Sequence, residues 1–296
     1  MVDVSVIILT QNERLHIRRC LDRLVPLEPR QIFIIDCFSN DETKSIVDSF
    51  AANIATSGQR LTTNGCRLTT NHYPLPTIHF VEHEWPGNQA AQFQWALDNL
   101  PIESKWILRL DADEYLTNEL IAEIKEKLPR IDDGIDGIVL KRRHVVGWLG
   151  NRWIKRGMYP TRILRLFRKG HGRSDLKIMD EHIVVEGSVV PFDNDFVDHS
   201  LISLPDWQVK HRGYAKREAK SYLSGERSTG EKAAKKDVYY KLPPYFRAVA
   251  YFCIRYFLKL GFLDGRAGWR WHFWQGLWYR WIVDREIGRM KRGCSR

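Results

Sequence analysis

A chain of 296 residues, 44% apolar and 28% charged, can fill a sizeable core, and only 32 of its residues are Pro or Gly. These proportions exclude a largely disordered chain, a collagen-like repeat and a small disulfide scaffold. The formal net charge of +10 asks for an anionic partner: nucleic acid, anionic lipid or a phosphorylated small molecule. The charge is not uniform, because residues 1–140 carry net −8, 141–177 net +11, 178–208 net −7 and 209–296 net +14. A uniformly basic nucleic-acid coat would not alternate in this way.

Val4 to Thr10 is a continuous, β-branched apolar run, as expected of a strand buried on both faces. Residues 12–25 read as a helix with Leu15, Cys20, Leu21 and Leu24 on or near one face and Asn12 as its N-cap. Gln31 to Asp36 reads as the second strand, and Ser39 to Thr43 as a polar loop entering a helix through Ile46, Val47 and Phe50. Strand–helix–strand–helix in this order predicts a parallel sheet with right-handed crossovers. Residues 53–76, with the near-copies RLTTNG and RLTTNH, read as an inserted surface excursion. The sheet is expected to resume at Thr77 to Glu82. A helix at about 88–99 follows, then a strand from Lys105 to Leu110 that ends at Asp111-Ala112-Asp113, and a helix at about 118–128. Further strands are expected at Gly137 to His144, Thr161 to Arg168 and His182 to Val190, and helices at about 206–226, 243–261 and 266–290.

The five cysteines form no CxxC pair and fit no zinc ligand spacing, so free thiols in a reducing compartment are expected. The N-terminal residues lack a basic n-region, and no uncharged apolar stretch is long enough for a conventional membrane span, so neither a signal peptide nor a transmembrane helix is expected.

The chemistry concentrates at predicted strand ends. Asp111 and Asp113, at i and i+2, project to the same side of the chain. Hard divalent cations favour such oxygen pairs when phosphate oxygens complete the shell, and the carboxyl edge of a parallel strand is where open α/β sheets bind ligands. A solvated acidic turn is the alternative. Thr10-Gln11-Asn12-Glu13 closes the first strand, and Asp36 with Ser39-Asn40-Asp41-Glu42-Thr43 closes the second. Asp36 and Asp41 suit hydrogen bonds from a base N–H or ribose hydroxyls, while Ser39 and Asp41 are equally apt to cap a helix.

VSVIILTQNE, IIDCFSNDET and LRLDADEYL resemble a family 2 glycosyltransferase of GT-A fold, and YPTRILRLFRKG, DEHIVVEG and GFLDGRAG resemble the branch containing lipopolysaccharide-core glucosyltransferases. The resemblance implies an α/β, Rossmann-like mixed sheet with flanking helices and a C-terminal helical, aromatic-basic extension. The expected domains are residues 1–205, catalytic, with a nucleotide-sugar half to 128 and an acceptor half beyond it, and residues 206–296, helical. It also implies an inverting transfer from a nucleotide-diphosphate sugar, UDP-sugar favoured, to a lipid-linked or cell-envelope glycan, assisted by Mg²⁺ or Mn²⁺. By the same resemblance Thr10, Asn12 and Glu13 contact the nucleotide, Asp36 reads the base, and Asp41 lies in a Ser-x-Asp-x-Thr pattern. Cys37 and Phe38 depart from the family's small polar pair. Asp111 and Asp113 match the metal–diphosphate motif, with Asp113 as the direct ligand. Inversion needs a general base, and the resemblance points to Glu181, with Asp180 as runner-up. His199 is a candidate for the metal or diphosphate, with a structural histidine as the alternative. Arg165 is a candidate for the diphosphate, with a solvated outer-face arginine as the alternative.

Residues 243–296 interleave aromatics, including five of the 11 tryptophans, with basic side chains. That composition suits an anionic membrane surface. The alternative is a helical bundle with its aromatics inside. Nucleic acid is not expected as a partner, and the protein is expected to be cytoplasmic, peripheral on the inner face of the cell membrane. Two rivals to a transferase are a DxDx(T/V) phosphatase, whose Thr/Val position is filled here by Tyr115, and a non-catalytic membrane or nucleic-acid binder.

Overall fold

The computed structural model describes residues 1–57, 75–175, 182–225 and 238–293. The chain divides into two compact units, an N-terminal one built from Met1–Arg142, Arg162–Asp175 and His182–His199, and a C-terminal one built from Arg143–Thr161 and the described residues from Ser200 onward.

The N-terminal unit is a mixed sheet. Strands β1 (Val2–Thr10), β2 (Pro29–Asp36), β3 (Thr77–Glu82) and β4 (Trp106–Asp111) run parallel in the order β3-β2-β1-β4. The sheet continues from β4 through β8 (Thr161–Arg168), β6 (Ile135–Val146) and β11 (Ser188–Ser200) to the short β5 (Glu114–Leu116), with β8 antiparallel to β4, β5 antiparallel to β11, and the two-residue β7 (Arg152–Trp153) antiparallel to the end of β6. This is the mixed sheet with flanking helices that the resemblance implied.

Strand alternation explains why β1 and β2 are apolar throughout. Val4, Val6 and Ile8 face one way and pack on Ile17, Cys20, Leu21 and Leu24 of helix α1 (Ile17–Leu24), on Val47 and Phe50 of α2 (Thr43–Ser57) and on Leu120 and Ile124 of α4 (Asn118–Lys127). Ile7, Leu9, Phe33 and Ile35 face the other way and pack on Phe93 and Ala96 of α3 (Gln89–Asn99). A sheet covered on both sides leaves no polar face to write into the sequence. Burial of each such side chain contributes about 1.5–3 kcal/mol.

Several boundaries differ from expectation. The helix expected from residue 12 starts at Ile17 after His16, and Asn12 does not cap it: its backbone is left-handed at φ 59° and its Oδ1 accepts the Asn40 N–H at 3.0 Å. The side chain that looked like an N-cap is instead taken by the neighbouring loop. The strand expected over 182–190 is two elements, β10 (Ile183–Val185), paired to β9 (Gly172–Ser174), and the 13-residue β11. Polar residues on the half-covered β11 conceal it from a hydrophobic pattern. The excursion expected at 53–76 falls mostly outside the described residues.

In the C-terminal unit, helix α5 (Leu204–Leu223) packs Ala215 and Ala219 against Tyr279, Ile282, Val283 and Ile287. Residues 246–253 are α-helical, and 254–258 form a π-helical turn. A second run of α-helix, π-helix and α-helix spans 265–293. Three of the five clustered tryptophans turn inward: Trp271 is buried with Leu149, Ile154 and Trp207, and Trp274 and Trp278 pack on that cluster. Trp269 and Trp281 are exposed. No helix among the described residues is long and apolar enough to cross a membrane.

Candidate active site

Thr10, Asp36 and Asp111 end three adjacent parallel strands, in register: Thr10 pairs with Asp36, and Leu9 with Asp111. The loops that follow β1 and β2 are bound to each other by side chains. Asp36, 1% exposed, accepts the Thr10 hydroxyl at 2.7 Å, and both the Ser39 N–H and the Ser39 hydroxyl at 2.6 Å. The Ser39 hydroxyl in turn accepts the Asn12 N–H at 2.7 Å, and the Thr43 hydroxyl accepts the Glu13 N–H at 2.8 Å. Thr43 donates its own hydroxyl to Asp41 Oδ1 at 2.5 Å, and Asp41 also accepts the N–H groups of Thr43 and Arg14. Burial alone would raise the Asp41 carboxyl, but these donors outweigh it and hold the group below the ordinary aspartate value. Glu13 Oε2 lies 2.6 Å from His16 Nδ1. Of the residues expected at the nucleotide edge, all five on these two loops and strand ends are therefore brought together. Phe38, between Asp36 and Ser39, is 58% exposed with a left-handed φ of 51°.

The DxD segment sits over buried arginines. Asp111 accepts from Arg165 at 3.1 Å, and its other oxygen lies 3.7 Å from Arg109 and accepts no hydrogen bond. Burial opposes ionisation of Asp111, but the two guanidinium groups more than compensate and hold its carboxyl below the usual range. Glu114 pairs with the same Arg165 and accepts the Asp111 N–H at 3.0 Å. Burial pushes Glu114 up to about 8, with repulsion from the Asp111 and Asp198 carboxylates adding to it and Arg165 offsetting only part. Arg165, 6% exposed, is thus neither solvated on an outer face nor presented to solvent; it lies beneath the motif, holding Asp111 and Glu114.

His199 reaches the same place through β11. The β5–β11 pairing sets Glu114 opposite Asp198, and the His199 N–H donates to the Asp113 carbonyl at 3.0 Å. Arg19, on α1, places Nη1 3.0 Å from His199 Nδ1 and donates from Nη2 to the His199 carbonyl at 2.5 Å, while its guanidinium stacks 5.1 Å from the Tyr115 ring. An arginine can only donate, so His199 Nδ1 accepts and Nε2 carries the proton in the neutral ring. Arg142 lies 3.5 Å from Asp198. Arg19, Arg109, Arg142 and Asp198 escape a reading by motif. Arg19 and His199 are 180 residues apart, and only the pleat of Arg109 and Arg165 on apolar strands hints at burial. Asp180 and Glu181 lie outside the described residues.

The donor set suits a hard cation. Asp111 is held ionised and has one buried oxygen without a hydrogen-bond donor, and Asp113 is two residues on. Among the described residues no group of three or more His, Cys, Asp or Glu side chains converges as a complete protein-only metal site. A cation here would need oxygens from a ligand as well.

Residues 5–182 match the family model Glycosyl transferase family 2. The chain belongs to this family. Among curated proteins, this glycosyltransferase is 28% identical over 187 residues to "Lipopolysaccharide core biosynthesis glycosyltransferase LpsC" of Rhizobium meliloti (strain 1021), a match covering 63% of the chain and 58% of that relative, so it spans less than two thirds of the relative's length. Among solved structures, the mannosyltransferase PcManGT from Pyrobaculum calidifontis, in complex with GDP-Man and Mn²⁺, matches with a TM-score of 0.55 and 14% identity, covering 96% of this chain and 86% of that one. That likeness concerns the fold. S. aureus TarS 1-349, in complex with UDP-GlcNAc, reaches a TM-score of 0.46 at 13% identity, over 98% and 92% of the two chains. With the family established, the DxD belongs to a transferase rather than to a phosphatase.

Proposed function

We propose that this glycosyltransferase is inverting and metal-dependent, and moves a sugar from a nucleoside-diphosphate donor, UDP-sugar favoured, to a lipid-linked or cell-envelope glycan. The observation carrying this reading is the alignment of Thr10, Asp36 and Asp111 at one sheet edge, with an ionised Asp111 that keeps one oxygen without a donor. In this reading the Asn12, Glu13 and Asp41 loops cradle the nucleoside, Asp36 accepts a base N–H on its less engaged Oδ2, and the exposed Phe38 ring offers a stacking face.

Asp113 and Asp111 would hold Mg²⁺ or Mn²⁺, whose chemistry is to neutralise charge on the departing diphosphate. Arg165 and Arg109 keep Asp111 ionised, and Glu114 holds its backbone N–H. His199, its Nε2 protonated through the contact with Arg19, is suited to donate to a diphosphate oxygen rather than to bind a metal through that atom. The acceptor hydroxyl attacks C1 on the face opposite the diphosphate while a carboxylate takes its proton; Glu181, with Asp180 as runner-up, is proposed for that base. The basic, aromatic C-terminal unit is proposed to bind an anionic membrane surface, which would make the protein peripheral on the cytoplasmic face.

Asp113→Ala should lower metal-stimulated hydrolysis of a UDP-sugar by about 10²-fold or more, with an unchanged melting temperature. Unchanged turnover would refute the metal assignment. The productive donor is found by thermal shift against nucleotide sugars with and without Mn²⁺.

A further inference from the structure

We propose that a basic cavity in the C-terminal unit receives the phosphate of an anionic lipid headgroup, with an adjoining apolar turn entering the acyl layer. This deepens the membrane reading above and rests on it, but assigns the contact to one site rather than to the unit's net charge.

The cavity, about 660 Å³, is lined among the described residues by the basic side chains Arg152, Lys155, Arg156, Arg266 and Arg270 and by one acid, Asp264. The Asp264 carboxylate is already engaged, because its Oδ2 accepts the backbone N–H groups of Lys155 at 2.9 Å and Arg156 at 2.8 Å. Those two bonds fix the loop that carries two of the five cations, Lys155 and Arg156. None of the five basic side chains has an ion-pair partner among the described residues. Two of them rest on aromatic faces, Lys155 at 4.5 Å from the Trp153 ring and Arg270 at 5.5 Å from Trp148. These contacts hold the long side chains in place without neutralising them. A concavity with this many cations draws in an anion, and the planar guanidinium fork matches phosphate oxygens in pairs.

A free phosphate would satisfy those charges alone. The apolar rim favours a lipid. Leu263 lines the cavity and is 56% exposed; the turn that carries it also exposes Leu260 and Phe262, and the π-helical end before the turn exposes Phe257 and Leu258, the last at 77%. That turn joins the π-helical residues 254–258 to the helix at 265–271. A water-soluble anion gives these side chains no reason to stand in solvent beside the cations. An interface does, because it takes apolar groups below the headgroups and arginines at their level.

The test is flotation of the full chain with vesicles of phosphatidylcholine, alone and mixed with phosphatidylglycerol. The wild type should bind the mixed vesicles and not the neutral ones. Arg156→Gln with Arg266→Gln should weaken that binding about thirtyfold, as the loss of two charges at the surface predicts. Arg285→Gln with Arg289→Gln removes the same charge from exposed positions of the same unit outside the cavity, and should weaken it several-fold less. Leu258→Ser with Leu263→Ser should make the residual binding far more sensitive to salt. Near-ultraviolet circular dichroism of each variant reports that the fold is kept. Equal losses in the two arginine pairs, or none in the cavity pair while the wild type still floats, would overturn the cavity and leave the membrane reading standing. A wild type that ignores both vesicles would overturn the membrane reading itself. Saturation by glycerol phosphate in solution, with vesicle binding untouched by the cavity substitutions, would make the site one for a soluble phosphate and overturn the lipid.

Discussion

In the N-terminal unit the ionisable side chains gather at one end of an apolar sheet, whereas in the C-terminal unit they run through the packing between aromatic rings. Asp36, Asp41, Asp111 and Glu114 all follow strands whose interiors are Val, Ile, Leu and Phe. Their partners are hydroxyls, backbone N–H groups and two arginines that rise from the strands beneath. In the C-terminal unit Arg247, 2% exposed, donates Nε to Asp284 Oδ1 at 2.8 Å and stacks 4.5 Å from the Tyr240 ring. Glu218 there accepts from the Tyr279 hydroxyl and from Arg280, each at 2.7 Å. The first arrangement leaves Asp41 and Asp111 partly uncovered at an edge, where a ligand can complete them. The second encloses its charges, so it supports packing and leaves only the outer cations for binding.

This contrast breaks first if the internal ion pairs prove dispensable. Asp284→Ala strands Arg247 and removes the acceptor of the Tyr245 N–H. It should cost about 3–5 kcal/mol in urea unfolding. A loss below about 1 kcal/mol would show that water reaches the pair and that the charges are not enclosed. Replacing both partners, Arg247→Met with Asp284→Leu, should recover most of the stability, since a paired apolar substitution leaves no orphaned charge.

The buried imidazole of the C-terminal unit gives a smaller, pH-dependent effect. His272 is fully buried, in space that exists because Gly157 and Gly261 lack side chains: a Cβ at either would come within 2.6 or 2.5 Å of the ring. Burial, with Arg255 adding repulsion, pushes its pKa down from 6.5 to about 4. The unfolded chain then takes up a proton first as pH falls, so stability is lost between about 6.5 and 4. The full loss amounts to about 3 kcal/mol for one such group. His272→Gln should flatten the stability profile over that window, read as the urea midpoint against pH; an unaltered slope would place the acid sensitivity elsewhere.

The smallest expected effect sharpens the other side of the comparison. Asp41 is held ionised by Thr43 and by the Arg14 N–H, so it stabilises the fold above its unfolded pKa and loses that contribution as pH falls through the lower folded value. Asp41→Asn should lower the melting temperature slightly at neutral pH and erase part of the acid-limb slope. An unchanged slope would mean that the loop bonds form only when a ligand is present.

Much of the N-terminal unit was legible in the chain itself. The runs at 4–10, 31–36 and 105–110 were legible as buried strands because apolar residues dominate each of them, and β3 and β8 were placed to the residue at 77–82 and 161–168. The three polar strand ends were legible for the same reason: each stands out where an apolar run stops. What could not be read was any partnership between distant segments. Asn12 resembled a helix cap because capping chemistry and loop-bridging chemistry use the same side chain. The 13 residues of β11 were hidden because a strand with one half-covered face carries Asp, Asn and His among its apolar positions.

Local pattern therefore determined which residues form the parallel strands and which polar groups end them, since alternation and turn chemistry act within a few residues. Tertiary structure alone decided that Arg165 lies under the DxD instead of facing solvent, that Arg19 sets the tautomer of His199, and that three of five tail tryptophans turn inward. Each of those outcomes depends on a burial or a charge supplied by a segment tens to hundreds of residues away, and no pattern along the chain records which segment that is.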